Sequence, residues 1–199
     1  MAAARAGVTR FALGRLVRDA WWAASAPTSF FDALRDVPHA RVGRAALAAL
    51  LSGLIAAAAA ALAFVRATDS DGYLLAWGLL TAIGLPYLAM IAFVGGLVMV
   101  RSGQLDLRAW EIAAWSWVPA GVLALSLLPA ALVAPVPAAL AGLAAFPVWN
   151  VVVVVHGVRV LSPARLGPPV ALYLVAVFVV PALLTVVSYA LMRGMQAAP

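Results

Sequence analysis

Long runs of apolar residues dominate the hydropathy pattern of this chain. Five of them are long enough to cross a hydrocarbon core of about 30 Å as helices. They lie at approximately residues 45–65, 73–100, 109–132, 136–159 and 168–192. The pattern predicts an all-α fold, a polytopic integral membrane bundle of five transmembrane helices. Residues 1–44 form a segment before this transmembrane domain, and 193–199 form a short tail.

Proline interrupts four of the five predicted spans. The second run is longer than one crossing needs, so we expect it to tilt or to kink at Pro86. Pro119, Pro147 and Pro181 fall in the last three runs. Broken helices line binding cavities in some transporters. Proline is also common in membrane helices generally, and we interpret these four residues as static kinks.

The composition supports a membrane bundle and excludes several kinds of site. Of the 199 residues, 66% are hydrophobic and only 10% are charged, with a mean hydropathy of +1.08. So little polar surface cannot enclose a water-soluble core. The chain has no cysteine and 2 histidines at distant positions, so we expect neither a thiolate site nor a histidine metal cluster.

The arginines divide unevenly between the two sides of the predicted bundle. Eleven of the 13 basic residues precede the first span or lie between spans two and three and between spans four and five. Only Arg66 and Arg193 lie on the opposite side. The positive-inside rule therefore predicts a cytoplasmic N-terminus and an external C-terminus. Because every basic residue is arginine, we expect a GC-rich bacterial source and the cytoplasmic membrane as the location.

The segment before the first span has the character of a membrane-surface element. Residues 8–22 form an amphipathic helix pattern, with a partly ordered basic tail as the alternative. Proline residues bound a second short helix that begins with a Phe-Phe pair. We expect Trp21, Phe30 and Phe31 to anchor this segment at the interface, where its arginines meet anionic lipid.

Few polar side chains lie within the predicted spans. Asn150 and Ser116 lie at a similar depth, nine residues from Arg159 and eight from Arg108. We therefore predict that Asn150 bonds to Ser116 or to a backbone carbonyl freed by Pro119, joining two helices. Glu111 and His156 lie near the cytoplasmic boundary, and we interpret both as structural.

The first span carries small residues at every fourth position. Such a stripe allows close approach of another helix, either within the bundle or in a homodimer. We favour a contact within the bundle. The stripe comprises Ala45, Ala49, Gly53, Ala57 and Ala61.

Three stretches resemble the Yip family, named for Ypt/Rab-interacting proteins, in its bacterial form. They are "PTSFFDAL" before the first span, "AAWSWVPAGVLAL" at 113–125 and "WNVVVVVHGVRVLSPARL" at 149–166. The resemblance implies a cytosolic N-terminus and five spans. The Rab GTPase partners of eukaryotic relatives are not expected here, because only about 44 residues precede the first span.

These observations favour a non-enzymatic integral membrane scaffold or assembly protein. The alternative is a small permease or an accessory subunit of a membrane transport complex. The spans hold no paired carboxylates and no Ser/His/Asp set, so we expect no enzyme, catalytic residue, cofactor or metal. Expected partners are the lipid bilayer and other membrane proteins or further copies of the chain. No nucleic-acid partner is expected.

Overall fold

The computed structural model describes residues 2–69, 71–101, 107–161 and 167–179, and within these ranges it contains helices but no strand. Helices α1 (Ala2–Ser25) and α2 (Pro27–Arg35) precede α3 (Val42–Thr68). Helix α2 begins at Pro27 because the fixed φ and missing N–H of proline suit a first helical turn. Helix α3 ends where Asp69 adopts a left-handed φ of 51° and donates its N–H to Val65 O, as helix C-termini commonly do.

The remaining helices follow in chain order. They are α4 (Tyr73–Leu79), a π-helical turn (Leu80–Gly84), α5 (Leu85–Arg101), α6 (Leu107–Trp115), α7 (Val118–Val133), α8 (Pro135–Leu161), α9 (Gly167–Leu174) and a second π-helical turn (Val175–Val179). Helices α4 and α5 with the π-helical turn between them form one continuous apolar helix. Helices α6 and α7 form a second long apolar helix, which is interrupted by a turn at Ser116 and Trp117. This pair is called the α6–α7 helix below.

Four helices are long and apolar enough to cross a membrane. They are Val42–Thr68, Tyr73–Val100, Leu107–Val133 and Pro135–Leu161. Each has 27 or 28 residues and therefore extends about 40 Å at a rise of about 1.5 Å per residue. The first four predicted spans have counterparts in these helices. The fifth is described only as far as Val179. Its remainder, with Pro181 and the tail 193–199, lies outside the described residues.

The prolines act on the helices in different ways. Pro86 is the second residue of α5, just after the π-helical turn, and Pro119 is the second residue of α7, after the interruption that separates it from α6. Pro147 lies inside α8, which is helical from Pro135 to Leu161, so the kink predicted there stays a prediction. Helix geometry is locally altered near the other two predicted positions among the described residues.

Three contacts define the direction in which α3 and the α6–α7 helix run. The Arg41 N–H meets Glu111, Ser52 lies against Gly121, and Arg66 reaches Leu132 O. Residue numbers rise together in these pairs, so the two helices are parallel. The end of the bundle near Arg108 is called the Arg108 end below, and the opposite end the Arg66 end.

Helix α8 runs in the opposite direction along the same partner. Its Gly157 packs on Ile112, its Asn150 on Ser116 and its Gly142 on Leu127. Helices α5 and α9 meet through Gly95 and Tyr173. Most of the buried core lies where α6, α8 and the N-terminal helices converge, so the N-terminal helices form part of the packed core of the bundle.

Candidate functional site

The interruption between α6 and α7 exposes a backbone acceptor inside the bundle. In a continuous α-helix the Ala120 N–H would bond to Ser116 O. Here it bonds to Trp117 O at 3.1 Å, and the Trp117 N–H bonds to Ala114 O at 3.2 Å. These shorter turns leave Ser116 O without its helical donor. A buried carbonyl in this position requires another partner.

Asn150 of α8 supplies that partner. Its Nδ2 donates to Ser116 O at 2.8 Å and to Ser116 Oγ at 3.1 Å. Its Oδ1 accepts from the Tyr173 hydroxyl at 3.1 Å, and that hydroxyl also lies 2.8 Å from Ser116 Oγ. All three side chains are fully buried. We call Ser116, Asn150 and Tyr173 the polar network.

The polar network is uncharged and closed on itself. Ser116 Oγ also contacts Ala113 O at 2.8 Å, so the two hydroxyl hydrogens serve three oxygen-to-oxygen contacts and can alternate among them. No histidine or carboxylate of the described residues bonds to this network. Its chemistry is to join α6, α8 and α9 by hydrogen bonds within an apolar core.

A second cluster, the arginine clamp, lies at the Arg108 end. The Arg108 Nη1 donates to Glu111 Oε2 at 2.7 Å, and its Nη2 donates to Val37 O. The other carboxylate oxygen, Oε1, accepts the backbone N–H of Arg41 at 3.1 Å. Glu111 is completely buried. Both of its oxygens are therefore bonded, and the clamp fastens the α2–α3 connection to α6.

The aromatic pair of α2 lies inside the protein, which corrects the expectation of a lipid-embedded anchor. Phe30 is 2% exposed and Phe31 is 0% exposed. Phe30 makes edge contacts with Trp22 and Trp115, and Phe31 lies against Gly157 of α8. Burial among aromatic rings of three helices satisfies these side chains better than the interface would. Trp21 differs, since 61% of it is exposed.

Two further hydrogen bonds attach the N-terminal helices to α8. Thr28 Oγ1 lies 2.8 Å from His156 Nδ1, and Trp149 Nε1 donates to Ala24 O at 2.9 Å. Glu111 and His156 are thus engaged with different segments of the chain. Among the described residues, no group of three or more histidine or acidic side chains could hold a metal ion.

The small-residue stripe of α3 faces the interior of the bundle at three of its positions. Ala45, Gly53 and Ala61 are buried, whereas Ala49 and Ala57 are half-buried. A Cβ on Gly53 would lie 2.5 Å from the tip of the Leu85 side chain. A close backbone approach to α3 falls one residue earlier, at Ser52.

That approach involves Gly121 of α7. A Cβ on this glycine would lie 2.8 Å from Ser52 Cα, a separation that real structures do not tolerate. Backbone atoms cannot move aside as a side-chain tip can. The stripe therefore contributes to packing, but the tight backbone contact at Gly121 uses a neighbouring face of α3.

Ser116 and Asn150 were predicted from the sequence as helix-packing residues, whereas Tyr173 was not. The signal was present, because Tyr173 lies eight residues from Arg165 in the sequence, the same depth count that relates Ser116 to Arg108. Comparison with family models, curated proteins and solved structures gave no match to this chain. The resemblance to the Yip family therefore depends on the sequence stretches alone.

Proposed function

We propose that this chain is a non-enzymatic integral membrane scaffold or assembly protein resembling the Yip family. In this proposal it has five spans, lies in a bacterial cytoplasmic membrane and has its N-terminus in the cytoplasm. The observation that carries the proposal is the attachment of the N-terminal helices. They are fixed to the bundle and present a charged outer face.

We call residues 13–41 the N-terminal platform. Its inner side is buried against the bundle through Leu16, Ala23, Phe30 and Phe31. Its outer side presents charges of both signs, from Arg15, Arg18, Asp32, Arg35, Asp36 and Arg41. A rigid charged surface of mixed sign favours electrostatic selection of a protein partner. A disordered basic tail would instead serve general attraction to anionic lipid.

The alternative function, a small permease or transport subunit, requires a polar path. The side chains of the polar network bond to each other and to backbone atoms, and the buried donors left without a partner among the described residues are the indole Nε1 atoms of Trp115 and Trp117. This pattern supports helix attachment over solute binding. Transport of a polar solute would need such groups to face a hydrated cavity.

Site-directed photo-crosslinking tests the proposal. A photoreactive amino acid is placed at Asp32 or Arg35, both exposed on α2, in cells of the source organism. We expect both positions to capture the same protein. The matched position is Val148, which is 66% exposed on α8 and should capture none. The charge reversal Arg35→Glu should reduce capture at position 32 without lowering the unfolding midpoint.

A different result of the crosslinking experiment would favour the permease or transport subunit. If neither platform position captures a protein, and purified protein in vesicles moves a polar solute at rates above protein-free vesicles, the scaffold proposal is wrong. Equal capture of the protein at position 148 would also count against the scaffold proposal. That result would show that the captured protein contacts the bundle without preference for the platform.

A further inference from the structure

An apolar groove of about 820 Å³ runs along the bundle. One face of α3 lines it over nearly the whole helix, from Val42 to Ala67. Facing residues come from α7 and α8, and α5 and α6 contribute at the Arg108 end. A volume of this size is in the range that holds drug-sized ligands, about 300–1,000 Å³. Its lining is almost entirely hydrocarbon.

The groove exists because small side chains occupy the meeting point of three helices. Ala63, Ala131 and Ala138 form a buried contact of α3, α7 and α8. Alanine methyl groups hold the helices together but leave adjacent space unfilled. The groove also opens to the surface, since Leu140 and Leu143 on its rim are 61% and 71% exposed.

A groove with this lining does not retain water, because it offers too few hydrogen-bonding partners. In helices of membrane-spanning length it faces the hydrocarbon of the bilayer. A flexible acyl chain is apolar along its length and can follow a groove parallel to α3. A chain in the groove would make the van der Waals contacts that the lining atoms lack when the groove is empty.

The Arg66 end of the groove adds a charge. Arg66 adjoins the lining residue Ala67, and its Nη2 donates to Leu132 O at 3.3 Å, which places its guanidinium beside the end of α7. Arg66 is exposed. The ion pairs found among the described residues do not include it. A guanidinium has five N–H donors, and the donors not used for Leu132 suit a phosphate.

We infer that this groove binds one acyl chain of a glycerophospholipid whose phosphate contacts Arg66. The phosphate would lie at the end of α3 and the chain would extend between α3, α7 and α8 toward the middle of the bundle. Van der Waals contacts between the chain and the groove walls provide most of the attraction, and the guanidinium fixes the position of the headgroup. The site is independent of any protein partner of the N-terminal platform.

Native mass spectrometry of the full chain tests this inference. The protein is reconstituted in vesicles of dioleoyl phosphatidylglycerol, extracted in mild detergent and weighed with its bound lipid. We expect one retained phospholipid per chain. Ala139→Phe, which fills the groove from α8, should abolish retention. The control Ala144→Phe adds the same ring at an exposed residue of α8 outside the groove, and retention should persist.

The phosphate contact is tested separately. Arg66→Gln should weaken retention about tenfold, the loss of about one charge-assisted hydrogen bond. Dioleoylglycerol has the same chains without the phosphate. The parent chain should retain dioleoylglycerol about as weakly as Arg66→Gln retains phosphatidylglycerol. Equal retention by the parent chain and Ala139→Phe would overturn the groove assignment. Equal retention of the two lipids would overturn the role of Arg66, and a dimer that excludes lipid would assign the groove to a second copy.

Discussion

At the scale of single residues, hydrogen bonding explains why Asn150 is tolerated in an apolar helix. Each polar atom of its carboxamide has a partner, and one partner exists because the α6–α7 interruption frees Ser116 O. Depth counting from the boundary arginines predicted that Asn150 would bond either to Ser116 or to a backbone carbonyl freed by Pro119, and the bonds observed are to Ser116. It did not establish which residue would bond the amide oxygen, because that depends on how α9 packs.

We expect Tyr173→Phe to lower the free energy of unfolding by about 0.5–2 kcal/mol, because Asn150 Oδ1 loses its donor inside the bundle. The effect should shrink when Asn150 is already leucine, since the two side chains act on the same bond. Unfolding by denaturing detergent, measured for both single variants and the double variant, gives the coupling.

Tyr73→Phe is the matched control. The Tyr73 hydroxyl makes a long contact of 3.4 Å to Ala58 O and is only partly buried, so its removal should change stability little. If both tyrosine variants unfold like the parent, the polar network does not stabilise the native state.

At the scale of helices, how closely two helices pack depends on where their side chains are small or, at glycine, absent. The four-residue repeat of small residues predicted that α3 would face another helix, and three of the five positions are buried. The repeat did not identify the tight backbone contact between Ser52 and Gly121. Periodicity describes one helix at a time, whereas a close approach depends on the surface of both.

Gly121→Ala should destabilise the bundle by about 1–3 kcal/mol, because the added methyl group meets the backbone of α3. Gly53→Ala should cost less, since only the end of the Leu85 side chain stands in its way. The difference is measured as free energy of unfolding in detergent.

Gly78→Ala provides the baseline for these substitutions. Outside its own helix backbone and chain neighbours, no atom of the described residues lies within 4 Å of a Cβ placed there, so helix propensity alone should make the change neutral or stabilising. Equal stability of the Gly121 and Gly78 variants would contradict a tight contact between α3 and α7.

At the scale of the whole molecule, the arginine clamp connects the N-terminal platform to the spans. The sequence pattern places Glu111 near the cytoplasmic boundary of its span and favours a structural role. It could not anticipate Val37 O or the Arg41 N–H as partners, because these belong to an irregular connection whose course is set by tertiary packing. For the same reason it assigned Phe30 and Phe31 to the lipid interface. Their apolar character was recognised correctly, but burial in protein and burial in lipid have the same sequence pattern.

Arg108→Gln should detach the platform and lower stability by about 3 kcal/mol, since Glu111 is then a buried carboxylate without its cation. Limited proteolysis should show faster cleavage within residues 13–41. Arg18→Gln is the comparison, because Arg18 pairs with Asp19 at 3.7 Å with its own side chain 72% exposed, and such pairs contribute little. Unchanged proteolysis in the Arg108 variant would show that the platform is held by its aromatic contacts instead.

The parallel packing of α3 with the α6–α7 helix also has a consequence for synthesis of the chain. Arg41 and Glu111 are 70 residues apart, a distance that a ribosome covers in about 4–14 s at about 5–20 residues per second. If the chain enters the membrane as it is synthesised, the small-residue faces of α3 lack their final partner during that interval. We then expect lipid to cover the surface around Ser52 first, and acyl chains to leave it when α7 arrives.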